Sequence, residues 1–142
     1  MEKLKVCIPT KDEKTIYKGH LGDADLFMIY EWDGKDYKLV EKKKNIPFEE
    51  KKHGDQKKMQ HILSIVGNCE LFVGSMLSPN FLNLRDKTKI QPVVSKIEDI
   101  EKTFEVLNKN VETIEELTQK RKNGEHPRVI PQISEDETRL LS

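Results

Sequence analysis

Three short polar clusters in this chain carry residue types that can hold a metal or an anion. His20 lies in Gly19-His20-Leu21-Gly22, His53-Gly54-Asp55 precedes one apolar-periodic segment, and Ser78-Pro79-Asn80 opens another. Neutral imidazole nitrogen ligates borderline and soft metals. The free backbone N–H groups and positive dipole end of a helix start favour negative charge. An imidazole pair beside two helix starts would therefore suit a metal centre with anionic ligands. The cysteines offer less. Cys7 and Cys69 are 62 positions apart and form no CxxC pair, so one chain supplies neither a zinc ribbon nor a four-thiolate cluster site. Each sits in or beside an apolar strand-like segment and reads as a buried structural thiol.

Positioning these clusters is the work of regular elements. Lys3 to Pro9 turns continuously apolar, as a central strand does. Thr10 to Asp25 is polar. Leu26 to Trp32 reads as a second strand, and Asp33-Gly34 as a two-residue hairpin turn. The third strand, Tyr37 to Lys43, alternates toward Lys and Glu like an edge strand. After a loop over residues 45–54, Met59, Ile62, Leu63 and Val66 share one helical face, with Asp55 as cap and Gly67 as stop. Glu70 to Gly74 is a short buried strand. Ser78 and Pro79 supply the N-cap and first-turn proline of a brief helix. Lys89 to Val94 is a fifth strand, and Ser95 to Glu98 matches a capping box. The helix it opens carries the stripe Ile97, Ile100, Phe104 and Leu107. Val111, Ile114 and Leu117 extend that stripe, in one helix to about Asn123 or in two that break at 108–110. The tail beyond Gly124, with Pro127 and Pro131, reads as extended chain, with a last short turn at Ser134–Glu137.

The order β-β-β-α-β-α-β-α, with short connections first and right-handed crossovers after, builds an α/β domain on a mixed five-stranded sheet. This is a ribonuclease H-like layout, followed by a C-terminal helical extension. In such sheets ligands bind at the carboxyl ends of the parallel strands, where His20, His53 and Asn80 are expected to meet. The layout raises a nuclease reading, but its two-metal chemistry needs carboxylates projecting from the central strands. Lys5–Pro9 and Leu71–Gly74 contain no Asp or Glu. No GxSxG, GxGxxG or GxxxxGK[ST] motif appears either.

Composition agrees with a small binding domain. The chain has 142 residues, 35% hydrophobic and 35% charged, with 25 basic and 25 acidic side chains that cancel to a net charge of zero. That balance argues against a nucleic-acid partner. It hides polarity: residues 35–58 hold nine lysines against five acids, whereas 97–142 hold seven basic against eleven acidic residues. The lysine run reads as a solvated hairpin end and loop. No apolar run approaches the ~20 residues of a membrane span, and the first residues lead straight into a strand without a signal peptide. A cytoplasmic protein without membrane attachment is expected, its cysteines reduced and unpaired.

The run from His20 to Glu31 (HLGDADLFMIYE) resembles the His-Phe-Gly-Arg-Ala-Pro-Tyr-Phe-x-Ile-Tyr-Asp signature of the dinitrogenase iron–molybdenum cofactor biosynthesis proteins. His53-Gly54 is similar to the family's His-Gly pair before the first helix, and Ser78-Pro79-Asn80-Phe81 to its Gly-Pro-Asn-Ala. The likeness covers roughly residues 4–108. Departures fall at Leu21, Asp23, Asp25 and Ser78, where the signatures have Phe, Arg, Pro and Gly. The resemblance implies a ribonuclease H-like domain over 1–108, with 109–142 as an extension. It implies a non-catalytic carrier of an iron–sulfur or molybdenum-containing cluster, acting in cofactor assembly or storage as a nitrogenase accessory. His20, Gly22, His53, Gly54, Ser78 and Asn80 would contact the cluster, with His20 and His53 as metal ligands. Cluster donor and acceptor proteins would be its partners. The alternative is a protein-interaction or regulatory module that keeps the fold without the cluster. The 97–123 stripe would then be its interface, and it is also the expected homodimer surface.

Overall fold

In the computed structural model, residues 1–20, 23–45 and 55–142 are described, without the side chains of 55–58. The strands are β1 (Leu4–Thr10), β2 (Leu26–Trp32), β3 (Tyr37–Lys44), β4 (Leu71–Gly74), β5 (Gln91–Ser95), β6 (Ile130–Ile133) and β7 (Thr138–Leu141). The helices are α1 (Asp55–Val66), α2 (Pro79–Lys87), α3 (Ile100–Lys109) and α4 (Val111–Lys122). One mixed sheet runs in the order β3-β2-β1-β4-β5-β6-β7. The expected five strands are thus extended to seven. β1, β4, β5 and β6 are mutually parallel, whereas β2, β3 and β7 pair antiparallel with their neighbours.

Side-chain alternation divides the core between two faces of this sheet. Leu4, Val6, Ile8, Met28, Tyr30, Trp32, Leu71, Val73 and Val93 join α3 residues Phe104 and Leu107 and α4 residue Ile114 on one face. Cys7, Phe27, Ile29, Phe72 and Val94 join Met59 and Ile62 of α1 and Phe81 and Leu84 of α2 on the other. The central strands are buried on both faces, which explains their unbroken apolar runs. β3 forms one edge. Its lysines are largely in solvent, and Tyr37 anchors it by stacking on Phe104 with ring centroids 4.1 Å apart.

Several local expectations are corrected. Between β2 and β3 the turn spans Asp33 to Asp36 rather than two residues. The Asp33 carboxylate accepts the N–H groups of Lys35 (2.9 Å) and Asp36 (2.8 Å). Only Gly34 takes positive φ there, at 93°. An added Cβ would also sit 3.3 Å from both γ-carbons of Val111, so glycine lets the hairpin abut the start of α4. The capping-box reading of Ser95 fails. β5 continues through Ser95, whose buried hydroxyl bonds Ile97 and Thr103. Asp99 caps α3 instead, accepting the Lys102 N–H at 2.9 Å.

The apolar stripe does not run on as one helix; it breaks at Asn110, which separates α3 from α4. Asn108 ties the end of α3 to the hairpin, accepting from Trp32 Nε1 (2.7 Å) and donating to the Lys35 carbonyl (2.9 Å). α4 then passes along the amino-terminal ends of the parallel strands to reach Gln91 at the start of β5. There Arg121, fully buried, donates to Gln91 Oε1 (2.7 Å) and to the carbonyls of Arg85 (2.9 Å), Thr88 (3.2 Å) and Pro127 (3.0 Å). Burial pulls this guanidinium down to about 10, so it keeps its charge at neutral pH. Ile97, Ile100, Phe104, Leu107, Ile114 and Leu117 are all buried within the chain. The stripe, expected to bury Val111, Ile114 and Leu117 against a second copy or against the Val129–Ile133 tail, is therefore covered from inside, with Ile133 in the same core as Ile114. Residues 130–141, expected as extended tail with a capped turn, form β6 and β7, joined through Ser134–Glu137 backbone and hydroxyl hydrogen bonds. No helix among the described residues is long and apolar enough to cross a membrane.

Candidate functional site

The carboxyl ends of β1, β4 and β5 deliver three segments to one end of the sheet. After β1, the Asp12 carboxylate gathers the next turn, accepting from Lys14 N (2.9 Å), Thr15 N (2.8 Å) and the Thr15 hydroxyl (2.8 Å). These bonds favour the charged form, and they hold the Asp12 carboxyl down at about 2. Thr10 completes the turn, donating its buried hydroxyl to the Thr15 carbonyl at 2.6 Å. Glu13 between them takes a left-handed φ of 66°.

Residues 14–18 then cross the strand ends as a tied strap. Tyr17 N–H donates to the Pro9 carbonyl (2.9 Å), Ile16 N–H to the Glu98 carbonyl (2.9 Å), and Ile100 N–H to the Lys14 carbonyl (3.0 Å). The Ser75 hydroxyl donates to the Tyr17 carbonyl at 2.9 Å. Lys18 and Glu98 close the strap with an exposed ion pair.

Beside the strap lies a cleft of about 430 Å³. Lys18, Gly19, Ser75, Met76, Lys96 and Glu98 line it, and Ile16 and Ile97 provide apolar wall. Lys96 reaches across to donate to the Ser75 carbonyl at 3.3 Å. Two ammonium groups, one carboxylate and a thioether thus converge where open parallel sheets take ligands. Nothing in the spacing of Lys18, Met76 and Lys96 singles them out. Lysines are frequent in this chain, and Lys96 falls within an apparent capping box. Met76 and Lys96 are marked only by following a strand closely, and Lys18 not even by that.

The residues expected at the site fare unequally. His20 is exposed and follows Gly19, a cleft-lining residue; its carbonyl accepts the Asp23 N–H at 3.0 Å. Gly22, His53 and Gly54 lie outside the described residues. Ser78 is buried and caps α2, its hydroxyl accepting the Phe81 N–H at 3.3 Å. That cap uses one donor on which the anion-site expectation relied, and the Leu82 N–H is engaged by the Ser78 carbonyl. Asn80 is 8% exposed and its carboxamide has no hydrogen-bond partner among the described residues. Such an orphan costs about 1–3 kcal/mol.

The cysteines behave as buried thiols. Cys7 lies mid-strand in β1 beside Cys69, which donates to the Val66 carbonyl at 3.4 Å, and both are free. Burial pushes the Cys7 thiol up, away from the reactive thiolate. Among the described residues no three His, Cys, Asp or Glu side chains come together as a metal site.

A family model described as dinitrogenase iron–molybdenum cofactor matches residues 2–110 of the chain. No curated protein matches it.

Proposed function

The chain belongs to the dinitrogenase iron–molybdenum cofactor family, and from that premise we propose that it is a non-catalytic carrier of an iron–sulfur or molybdenum-containing cluster. The observation that supports this most is the cleft at the carboxyl ends of β1, β4 and β5, where Lys18 and Lys96 meet apolar wall and the Met76 thioether. Clusters with sulfide or oxide ligands are anionic. Lys96, and Lys18 beyond its ion pair with Glu98, attract such a cargo, and apolar surface accommodates its low-polarity sulfide faces. His20 and His53 are the proposed metal ligands, with Gly22, Gly54, Ser78 and Asn80 contacting the cluster. Asp23 and Asp25 are exposed beside His20 in sequence, and they temper the positive field there. The cluster is cargo in this reading, received from a donor protein and passed to an acceptor in cofactor assembly or storage.

Residues 1–108 act as the cargo-binding unit in this proposal. Residues 109–142 widen its sheet and brace its far end. The competing reading, an interaction module working through the 97–123 stripe, draws no support from a stripe whose main apolar side chains are buried within the chain.

Anaerobic reconstitution with iron, sulfide and molybdate, followed by metal analysis and visible spectroscopy, tests the carrier reading. Stoichiometric metal with visible absorbance is expected. Replacing both His20 and His53 with Ala should abolish retention with the melting temperature nearly unchanged, and replacing Lys18 and Lys96 with Ala should weaken it. A colourless, metal-free wild-type protein after reconstitution would overturn the reading.

A further inference from the structure

The first turn of α2 holds a polar group that the described protein leaves without a partner. The other buried Ser, Thr, Gln and Arg side chains among the described residues all find partners. Ser78 accepts from Phe81, Thr118 donates to the Glu115 carbonyl, Ser95 bonds Thr103, and Arg121 bonds Gln91. Asn80, at 8% exposure, makes no hydrogen bond among the described residues through its carboxamide or its backbone N–H. A buried unpaired amide at a helix start marks a place where something else supplies the partner.

Position indicates what that partner is. α2 has nine residues, enough for its peptide dipoles to present a positive end at Pro79 and Asn80. Proline has no N–H, and Ser78 engages those of Phe81 and Leu82. Both open donors of this helix start therefore belong to Asn80. Helical side chains lean toward the helix N-terminus, so an amide at the second position reaches back past the first turn. It does so on the flank shared with Leu84, which is fully buried. Nδ2 and the backbone N–H together form a two-donor corner at the positive end of the dipole.

We propose that this corner holds a small tetrahedral oxo- or thio-anion, bound by hydrogen bonds from Asn80 Nδ2 and N–H to its terminal oxygen or sulfur atoms. The inference rests on the carrier reading and narrows it to one contact and one chemical class. An amide nitrogen has no lone pair available to ligate a metal, so the contact is to a terminal atom of the anion. Two donors on one residue match adjacent terminal atoms of one small anion.

The test is calorimetric titration of the apo protein with molybdate, in wild type, Asn80→Leu and Asn80→Asp. Wild type should bind. Asn80→Leu should bind at least tenfold more weakly, with an apo melting temperature equal to or above wild type because the unpaired amide is gone. Asn80→Asp keeps the shape but faces the anion with an acceptor, and should lose binding as well. Full molybdate affinity in either variant would overturn the proposal. So would a wild-type protein that binds no molybdate, even if it retains iron and colour after reconstitution with iron and sulfide. That last outcome leaves the carrier reading standing and removes only this site.

Discussion

Asp12 controls the turn that starts the strap, and its chemistry can be read directly. Its carboxyl sits at about 2 against an ordinary 3.8, chiefly because the Thr15 and Lys14 backbone N–H groups bond the charged form. A depressed carboxylate stabilises the fold above its unfolded value and stops doing so as pH falls through its folded value. The turn should therefore loosen between about pH 4 and pH 2. Carboxyl-detected NMR should place the Asp12 midpoint near 2, and Asp12→Ala should speed amide exchange at Lys14 and Thr15 at neutral pH. A midpoint near 4 would show that the turn does not hold in solution. Single residues also mark the limits of sequence reading. Asn80 is visible in a motif, but its isolation emerges only once Ser78 and the backbone are placed around it. Lys18 and Lys96 are invisible in the sequence because nothing in their spacing distinguishes them from solvated lysines.

Elements are legible wherever a pattern has one physical solution. The run Leu26–Trp32 is β2 to the residue, and Ser78-Pro79 opens α2 as expected. Reading fails where two structures share a pattern. Ser95 to Glu98 fits a capping box, yet a strand that continues into the core claims the Ser95 hydroxyl first, and the helix waits for Asp99. The stretch from Ile130 to Leu141 reads as loose chain because Pro131 interrupts it. A proline is tolerated here because pairing with β5 is confined to Val94↔Gln132 and Ser95↔Ile133. The cap assignment is open to measurement. Asp99→Ala should cost about 1 kcal/mol of stability in urea unfolding, the usual loss for an N-cap. Wild-type stability in that variant would return the cap to Ser95.

On the scale of the molecule, Arg121 ties the segment beyond the family match to the part within it. Its guanidinium serves Gln91, Arg85 and Thr88 on one side and Pro127 on the other. Arg121→Met keeps much of the volume and strands those acceptors, so a loss of roughly 3 kcal/mol is expected from unfolding curves. A loss below about 1 kcal/mol would mean that water or neighbouring donors replace it. The placement of β6 matters during translation as well. β5 ends at Ser95, and the strand that covers its outer edge is complete only at Ile133. Until β6 docks, a nascent chain with β1, β4 and β5 assembled carries an open apolar strand edge, the template on which foreign strands add. The lysines of β3 guard only the opposite edge. Docking of β6 on β5 is therefore the step that closes this edge to foreign strands.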